Sequence, residues 1–314
     1  MDRPDHNLLE QVDARTKLAG SNKMEILLFS LGTHELFGIN VFKVREVSST
    51  PIVTPTPNMP DGVEGLISLR GNVIPVLSLA RIMNLTDAPD GMGGAMMVTE
   101  YSKRTLGFLV HEVDRIIRVD WDRVRAPESV VTSEQLYITA ITELDDGRLV
   151  SILDVESILA GTFGDAVVGE IPPLGGNYDP NVFFVDDSAV ARKKIAEVLD
   201  KLNIRHKHAT NGAEAWARLQ GMAAHTTQTG QPLTDEIDLI LVDAEMPEMD
   251  GYVLTRHIKN DPRFVDIPVV MHSSLSSEAN RAMGKSVGVD AYVAKFDAEV
   301  LADTLRPLLQ AHKA

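Results

Sequence analysis

The chain has 314 residues, a length that predicts two domains. Hydrophobic residues make up 44% and charged residues 24%, a globular balance that excludes wholesale disorder. The formal net charge is −15 and the longest basic cluster is Arg192-Lys193-Lys194, which argues against nucleic acid and against an anionic membrane surface as ligands. The absence of cysteine excludes disulfides, thiolate metal sites and a cysteine nucleophile, and fits a cytosolic setting. No apolar run approaches the roughly 20 residues that span a bilayer, so no membrane insertion is expected. The start, Met1-Asp2-Arg3-Pro4-Asp5, lacks a basic region followed by an apolar core, so no secretory signal is expected.

Leu8, Leu9, Val12 and Leu18 predict a weakly amphipathic helical segment over residues 1–23. From Met24 the texture is short apolar runs split by turns. Ile26–Leu31, Leu36–Ile39, Val41–Val47, Leu66–Leu69, Val73–Leu79, Leu106–Val110, Ile116–Val119, Tyr137–Ile141 and Leu149–Leu153 are separated by Gly32-Thr33, Arg70-Gly71-Asn72, Asp145-Asp146-Gly147 and the cluster Pro51, Pro55, Pro57, Pro60. This pattern predicts an antiparallel all-β sandwich or barrel over 24–163. Glycines and prolines between Gly161 and Pro180 predict a linker at 164–179.

Residues 180–314 read differently. Val182-Phe183-Phe184-Val185, Leu239-Ile240-Leu241-Val242 and Pro268-Val269-Val270-Met271 are apolar on both faces and separated by helical spacing, as over Ala189–Leu202. Such strands belong to a parallel α/β sheet. The polar stretch Gly221–Glu236 predicts a lengthened loop after the second helix of this domain.

Ligands of open α/β sheets bind outside the carboxyl ends of the strands. Those ends carry Asp186-Asp187, Asp243, Ser273-Ser274 and Lys295, the last after Ala291-Tyr292-Val293-Ala294. Hard carboxylate oxygens without His or Cys suit Mg²⁺. An Asp carboxylate can itself take a phosphoryl group. Mg²⁺ and Lys295 would then neutralise the phosphoryl oxygens, and Ser273 would hydrogen-bond the phosphate. Each feature alone has an ordinary reading: Asp187 or Ser188 as a helix N-cap, Met246–Gly251 as a turn, Lys295 as a surface charge. Their conjunction in this order does not.

The β half offers no catalytic constellation. His34 and His111 sit in no metal-ligand spacing, and Ser30, Ser48 and Ser78 lie in no Gly-x-Ser-x-Gly elbow. Two apolar runs meet at Arg70-Gly71-Asn72, which holds Arg70 at a hairpin tip or strand end. A rigidly presented Arg is a common interface anchor, although a solubilising turn charge is the commoner case.

Residues Asn181–Lys313 resemble a response-regulator receiver of the CheY type. The resemblance rests on Asp186-Asp187, on Leu239–Asp243 followed by Met246-Pro247-x-Met249-Asp250-Gly251, on Ser273-Ser274, and on Tyr292-x-x-Lys295. It implies a doubly wound, five-stranded, flavodoxin-like parallel sheet, with Asp243 as phosphoacceptor. It further implies Asp187 as direct Mg²⁺ ligand, Asp186 acting largely through water, and the Glu245 backbone carbonyl completing the metal shell. Ser273 and Tyr292 would be the switch pair, and Lys295 would hold the phosphoryl group. Receivers usually follow this Lys with a cis proline. Phe296 stands here instead, where a cis bond costs about 2.5–4 kcal/mol.

Residues 24–160 resemble the CheW-type coupling domain. The matching segments are Gly62–Leu79, with Ser68 where Asn is common, Phe37-Gly38-Ile39-Asn40-Val41-x-x-Val44-Arg45-Glu46-Val47, and Thr54-Pro55-x-Pro57-Asn58. The family implies two SH3-like five-stranded β-barrels that bind the histidine kinase CheA and the tips of methyl-accepting chemoreceptors, with Arg70 lining a partner surface. A CheW-like domain joined to a receiver is the CheV arrangement. It implies a cytoplasmic chemotaxis adaptor, recruited to membrane-associated receptor arrays, regulated by phosphorylation of Asp243, and meeting CheW and CheV copies there. No separate catalytic or output domain is expected, so the response would lie in the β half or a partner. Two alternatives stay open. The receiver would be a phosphate sink draining CheA, or the chain would be a phosphoester hydrolase. The latter usually carries an Asp-x-Asp motif where this chain has Asp243-Ala244-Glu245.

Overall fold

Continuous burial of Met24–Phe29 makes β1 (Lys23–Ser30) the spine of the first sheet. The computed structural model describes residues 23–85, 94–101, 104–126, 137–164, 168–175, 179–274, 278–295 and 297–311. The helical segment expected before residue 23 and the Lys295–Phe296 bond lie outside them. The chain divides into two units, residues 1–165 and 166–314.

In the first unit, β1 is followed by β2 (Leu36–Asn40), β3 (Val44–Ser49), β4 (Val63–Leu69), β5 (Asn72–Ser78), the short helix α1 (Leu79–Ile82), β6 (Ala95–Tyr101), β7 (Arg104–Val110), β8 (Glu112–Asp120), β9 (Ile138–Glu143), β10 (Leu149–Leu153) and α2 (Val155–Phe163). They form two five-stranded sheets, β8-β1-β2-β10-β9 and β3-β6-β7-β5-β4. The two share one plan. A hairpin, β9–β10 or β4–β5, meets the central strand through one parallel contact, β10–β2 or β5–β7, and the remaining pairs are antiparallel. Both close alike. The segment leaving edge strand β8 bridges the opposite edge through Arg125 and Ile141, and the segment leaving β3 does so through Thr54 and Leu66. Each sheet is thus curled on itself, around Ile26, Leu28, Val150 and Ile152 in one case and Ile67, Val76, Met96 and Val98 in the other. The run expected as one strand over Val41–Val47 splits. Val41–Lys43 makes a 3₁₀ turn, capped where the Phe42 amide donates to Asn40 Oδ1 at 3.0 Å, and β3 follows.

The second unit alternates strand and helix: β11 (Asn181–Val185), α3 (Ala189–Lys201), β12 (Arg205–Ala209), α4 (Gly212–Thr229), β13 (Leu239–Asp243), α5 (Gly251–Asn260), β14 (Val269–Ser273), α6 (Glu278–Val287), β15 (Ala291–Ala294) and α7 (Ala298–Ala311). The sheet is parallel throughout, in order β12-β11-β13-β14-β15. Side chains alternate between its faces. Val182, Phe184, Leu241 and Val270 pack with Ile195 and Val198 of α3 and Leu305 of α7. Phe183, Val185, Ile240 and Val242 pack with Leu219 of α4 and Leu254 and Ile258 of α5. Helices therefore cover both faces, as in a doubly wound fold.

Three segments depart from expectation. The loop expected from Gly221 is helix: α4 runs to Thr229, buries Ala223 and Thr226, and ends at Gly230 in the left-handed region. The Thr227 hydroxyl donates to the Ala223 carbonyl at 2.7 Å, and Thr229 to His225 at 3.1 Å, so these residues bond back to the helix. β12 carries no apolar run. It is an edge strand registered by β11, with the His208 ring stacked on Phe184 at 5.3 Å. Finally, part of the expected linker is packed. Val168, Ile171 and Leu174 are buried in the α3–α7 core. The Leu174 amide donates to the Leu202 carbonyl at 2.9 Å, and Arg306 donates to the carbonyls of Pro172 and Pro173. Leu174→Ala should therefore destabilise the protein by about 2 kcal/mol, the low end for a buried leucine. Urea unfolding of the full chain checks it; an unchanged midpoint would mean a loose tether.

Candidate functional site

The order β12-β11-β13 reverses chain direction at β11, so a crevice opens between the carboxyl ends of β11 and β13. Asp186 and Asp187 follow β11, and Asp243 ends β13. One oxygen from each of the three carboxylates lies within 4.8 Å of the others. Ser273 ends the next strand, β14, and Lys295 follows β15. Lys295 Nζ sits 2.8 Å from Asp186 Oδ2 and 2.9 Å from Asp243 Oδ2. Asp186 is 0%, Asp243 4% and Lys295 3% exposed, so this is a buried ionic cluster. The Lys295 amide also donates to the Ser273 carbonyl at 2.9 Å, which ties the β14 and β15 ends together.

Local structure fixes these groups. Ser188, not Asp187, caps α3 by accepting from the Ala191 amide. Asp186 Oδ1 accepts from the Ser188 amide at 3.0 Å, which orients the carboxylate. Arg192, one turn into α3, donates to the backbone carbonyls of both Asp186 and Asp187 at 2.9 Å. After β13, the Met246–Asp250 loop turns through Glu248 in the left-handed region at φ 67°. Asp250 caps α5 by accepting from the Val253 amide at 2.7 Å, and its burial raises its pKa. A Cβ at Gly251 would lie 1.9 Å from the Asp243 carbonyl oxygen, so only glycine lets α5 approach the strand end. Glu245 is half-buried in the same loop.

Tyr292, on β15, shares a hydrogen bond with the Ser273 hydroxyl, and burial raises its pKa. The structure thus gathers Asp186, Asp187, Asp243, Ser273, Tyr292 and Lys295 at one edge, with Glu245 beside them. Arg192 and Tyr252 also belong to this edge and escape a reading by motif. Arg192 opens the basic cluster Arg192-Lys193-Lys194, and a helical turn brings it back to the acidic pair.

Three negative charges face one positive charge, and all donors are hard oxygens. The set fits a divalent cation of the Mg²⁺ class, and does not suit softer metals.

In the first unit, Leu69 pairs with Asn72, and Arg70 and Gly71 form the turn with φ 51° and 84°. Positive φ at both positions is the two-residue hairpin turn that matches strand twist. Arg70 is strongly exposed and pairs with Glu46 of β3, across the closure of the sheet.

Residues 25–163 match the CheW-like domain, and residues 182–306 the response regulator receiver domain. Chemotaxis protein CheV3 of Helicobacter pylori is 31% identical over 279 residues, which cover 87% of this chain and 88% of that protein. The chain belongs to the CheV family. Chemotaxis protein CheV1 of the same organism is 28% identical over 96% of this chain and 98% of its own length. Chemotaxis protein CheW of Klebsiella aerogenes is 30% identical over 46% of this chain and 87% of its own. As in CheV proteins, a chemotaxis coupling adaptor is joined to a phosphorylatable receiver, and this whole-length agreement favours the adaptor over a phosphate sink or a hydrolase. Receivers as a class bind Mg²⁺. Among the described residues, no helix is long and apolar enough to cross a membrane.

Removing one partner from a buried ion cluster leaves charge uncompensated, so Lys295→Met should destabilise the protein by about 3–5 kcal/mol. Adding Asp186→Asn should recover part of that loss, because a neutral amide ends the repulsion with Asp243. Denaturant unfolding of the two single variants and the double variant measures the coupling.

Proposed function

We propose that this CheV-family chain couples chemoreceptors to the histidine kinase CheA through residues 24–163, and that phosphorylation of Asp243 in residues 180–314 regulates the coupling. CheW and further CheV copies would be its neighbours in the receptor array, to which it is recruited. The observation that carries the regulatory half is the Lys295 ammonium shared by Asp186 and Asp243, with Asp187 beside them.

In this reading a carboxylate oxygen of Asp243 attacks the phosphorus of the CheA phosphohistidine. The O–P bond forms, the P–N bond breaks, and the imidazole nitrogen leaves with the electron pair. Lys295 stays against the phosphoryl oxygens as charge shifts onto them. Asp187 and Asp243 would hold Mg²⁺ directly, Asp186 through water, and the Glu245 carbonyl would complete the shell. That ion would supply the rest of the charge neutralisation. The Ser273 hydroxyl turns toward the new phosphate and Tyr292 follows, so the modification becomes a shape change. The aspartyl phosphate is lost to water without a separate catalytic domain.

Arg70 is the anchor we assign to the coupling half. An L residue in the left-handed region carries about 1–2 kcal/mol of strain, and an exposed ion pair such as that with Glu46 returns under about 1 kcal/mol. Strain held at an exposed tip favours a binding role over a structural one.

Two experiments test these roles. Incubated with phosphorylated CheA and Mg²⁺, the protein should take up label, and Asp243→Asn should not; label on both, at another residue, would sink the receiver assignment. Arg70→Gly should raise stability by up to about 1 kcal/mol while weakening pull-down of CheA or of receptor-tip fragments. Undiminished binding would return Arg70 to a solubilising charge.

A further inference from the structure

Residues Val168-Gly169-Glu170-Ile171-Pro172-Pro173-Leu174-Gly175 follow the coupling half in sequence and belong to the second unit. Their burial has a period of three: Val168, Ile171 and Leu174 are buried, and the residues between them are exposed. Three residues per turn is the period of a polyproline II helix, which Pro172 and Pro173 favour. Such a segment makes no hydrogen bonds of its own, so its carbonyls need outside donors. Lys201, in the last turn of α3, donates to the carbonyls of Val168 and Gly169, the latter at 3.0 Å. Arg306 of α7 donates to those of Pro172 and Pro173, the latter at 3.1 Å. The Leu174 amide donates to the carbonyl of Leu202, just beyond α3. The apolar edge shares one core with Val198 and Leu199 of α3 and with Leu305 and Leu309 of α7. The segment is a strap stitched to both helices.

Both helices start at the acidic edge. α3 opens directly after Asp186-Asp187, and Arg192 ties its first turns to the carbonyls of that pair. α7 opens after Lys295 and after β15, the strand that carries Tyr292. In the scheme above, phosphorylation changes the bonds of Tyr292 and Lys295 and leaves the Arg192 clamp in place. The start of α7 is then displaced against a fixed α3. A small shift is enough, because hydrogen bonds weaken steeply with poor alignment and packed contacts give way as a unit. A strap fastened to both helices loses its fit when one moves against the other.

We propose that residues 168–174 are a latch, docked across α3 and α7 before phosphorylation and released by it. The inference rests on the receiver reading above. Release adds residues 168–174 to the free tether between α2 and β11, roughly 23 Å when extended, and so sets the reach of the receiver from the coupling half. Undocking is not prohibitive. Lys201 retains Glu197, 3.2 Å away on the same helix, while Arg306 and the freed carbonyls return to water. The prolines keep the strap extended when free, so little order is lost and docking is readily reversed. Coupling between two sites is reciprocal. Phosphorylation that loosens the strap therefore requires that a loosened strap favour phosphorylation.

The test uses the full chain, with beryllofluoride and Mg²⁺ standing in for the phosphorylated state. Hydrogen exchange at the Leu174 amide reads the latch, and calorimetry reads beryllofluoride binding. In the wild type, saturation should speed Leu174 exchange about 5-fold or more, the lower end of ordinary coupling. Arg306→Met keeps an apolar stem and removes the donors; Ile171→Ala loosens the strap from its apolar side. Each should speed Leu174 exchange without beryllofluoride, and by reciprocity each should tighten beryllofluoride about 2- to 10-fold, the effect of one net hydrogen bond. A wild type that binds no beryllofluoride would overturn the receiver reading itself. Binding that leaves Leu174 exchange unchanged, or slows it, would overturn only the latch. Faster exchange in both variants with unchanged or weaker beryllofluoride binding would make the strap a structural fastening, and the proposal would again fail. It fails too if neither variant tightens binding.

Discussion

A single ammonium group set between two buried carboxylates, with a third carboxylate adjoining, organises the receiver half. Transfer of these ions from water is expensive, and the attraction between them offsets that only where geometry is tight. The chain supplies the geometry from four directions. Lys295 joins the ends of β11, β13 and β15 by its two ion pairs. The Ser188 amide orients Asp186, and Arg192 holds the carbonyls behind the acidic pair. Gly251 brings α5 onto the carbonyl of Asp243. The balance is still negative, since three carboxylates face one cation. A site with that residual charge and only oxygen donors is prepared for a hard divalent ion. Adding a phosphate increases the demand for it.

Much of this edge is legible in the sequence because parallel strands buried on both faces must be apolar, and their ends must not be. Phe183–Val185 and Leu239–Val242 point directly to Asp186 and Asp243. Elsewhere the same logic fails for identifiable reasons. β12 has no apolar run because it is an edge strand, whose register comes from β11 and whose His208 covers Phe184. The end of α4 reads as loop because Gly221 and three threonines have poor helix propensity. Ala223 and Thr226 are nevertheless buried, and the threonine hydroxyls bond back into the helix. The packed segment of residues 168–174 hides in a linker composition. Its prolines suit an extended course, and Val168, Ile171 and Leu174 supply the apolar contacts.

The coupling half shows the complementary limit. Turn residues reveal a hairpin at Arg70-Gly71, but no local pattern reveals that a sheet closes. Closure is a contact between edges far apart in sequence, Thr54 with Leu66 and Arg125 with Ile141. Two sheets with one parallel contact each, closed by equivalent bridges, repeat a plan that the sequence does not display as a repeat. The strain at Arg70 is equally invisible without the backbone. Once φ is known, the residue type becomes informative, because glycine would serve the turn with less strain.

The two halves of the site respond differently to added charge. Lys295, Asp186 and Asp243 are locked by mutual attraction, so an incoming phosphate cannot move them far without breaking buried ion pairs. Hydroxyl groups carry no such penalty. In the proposed switch Ser273 and Tyr292 would exchange hydrogen-bond partners by rotation, and such exchanges are nearly balanced in free energy. A switch built on them is therefore set by small differences, such as one buried hydroxyl with or without a partner. In the proposed switch the charged cluster would fix where the phosphate acts, and the hydroxyls of Ser273 and Tyr292 would carry that action away from it.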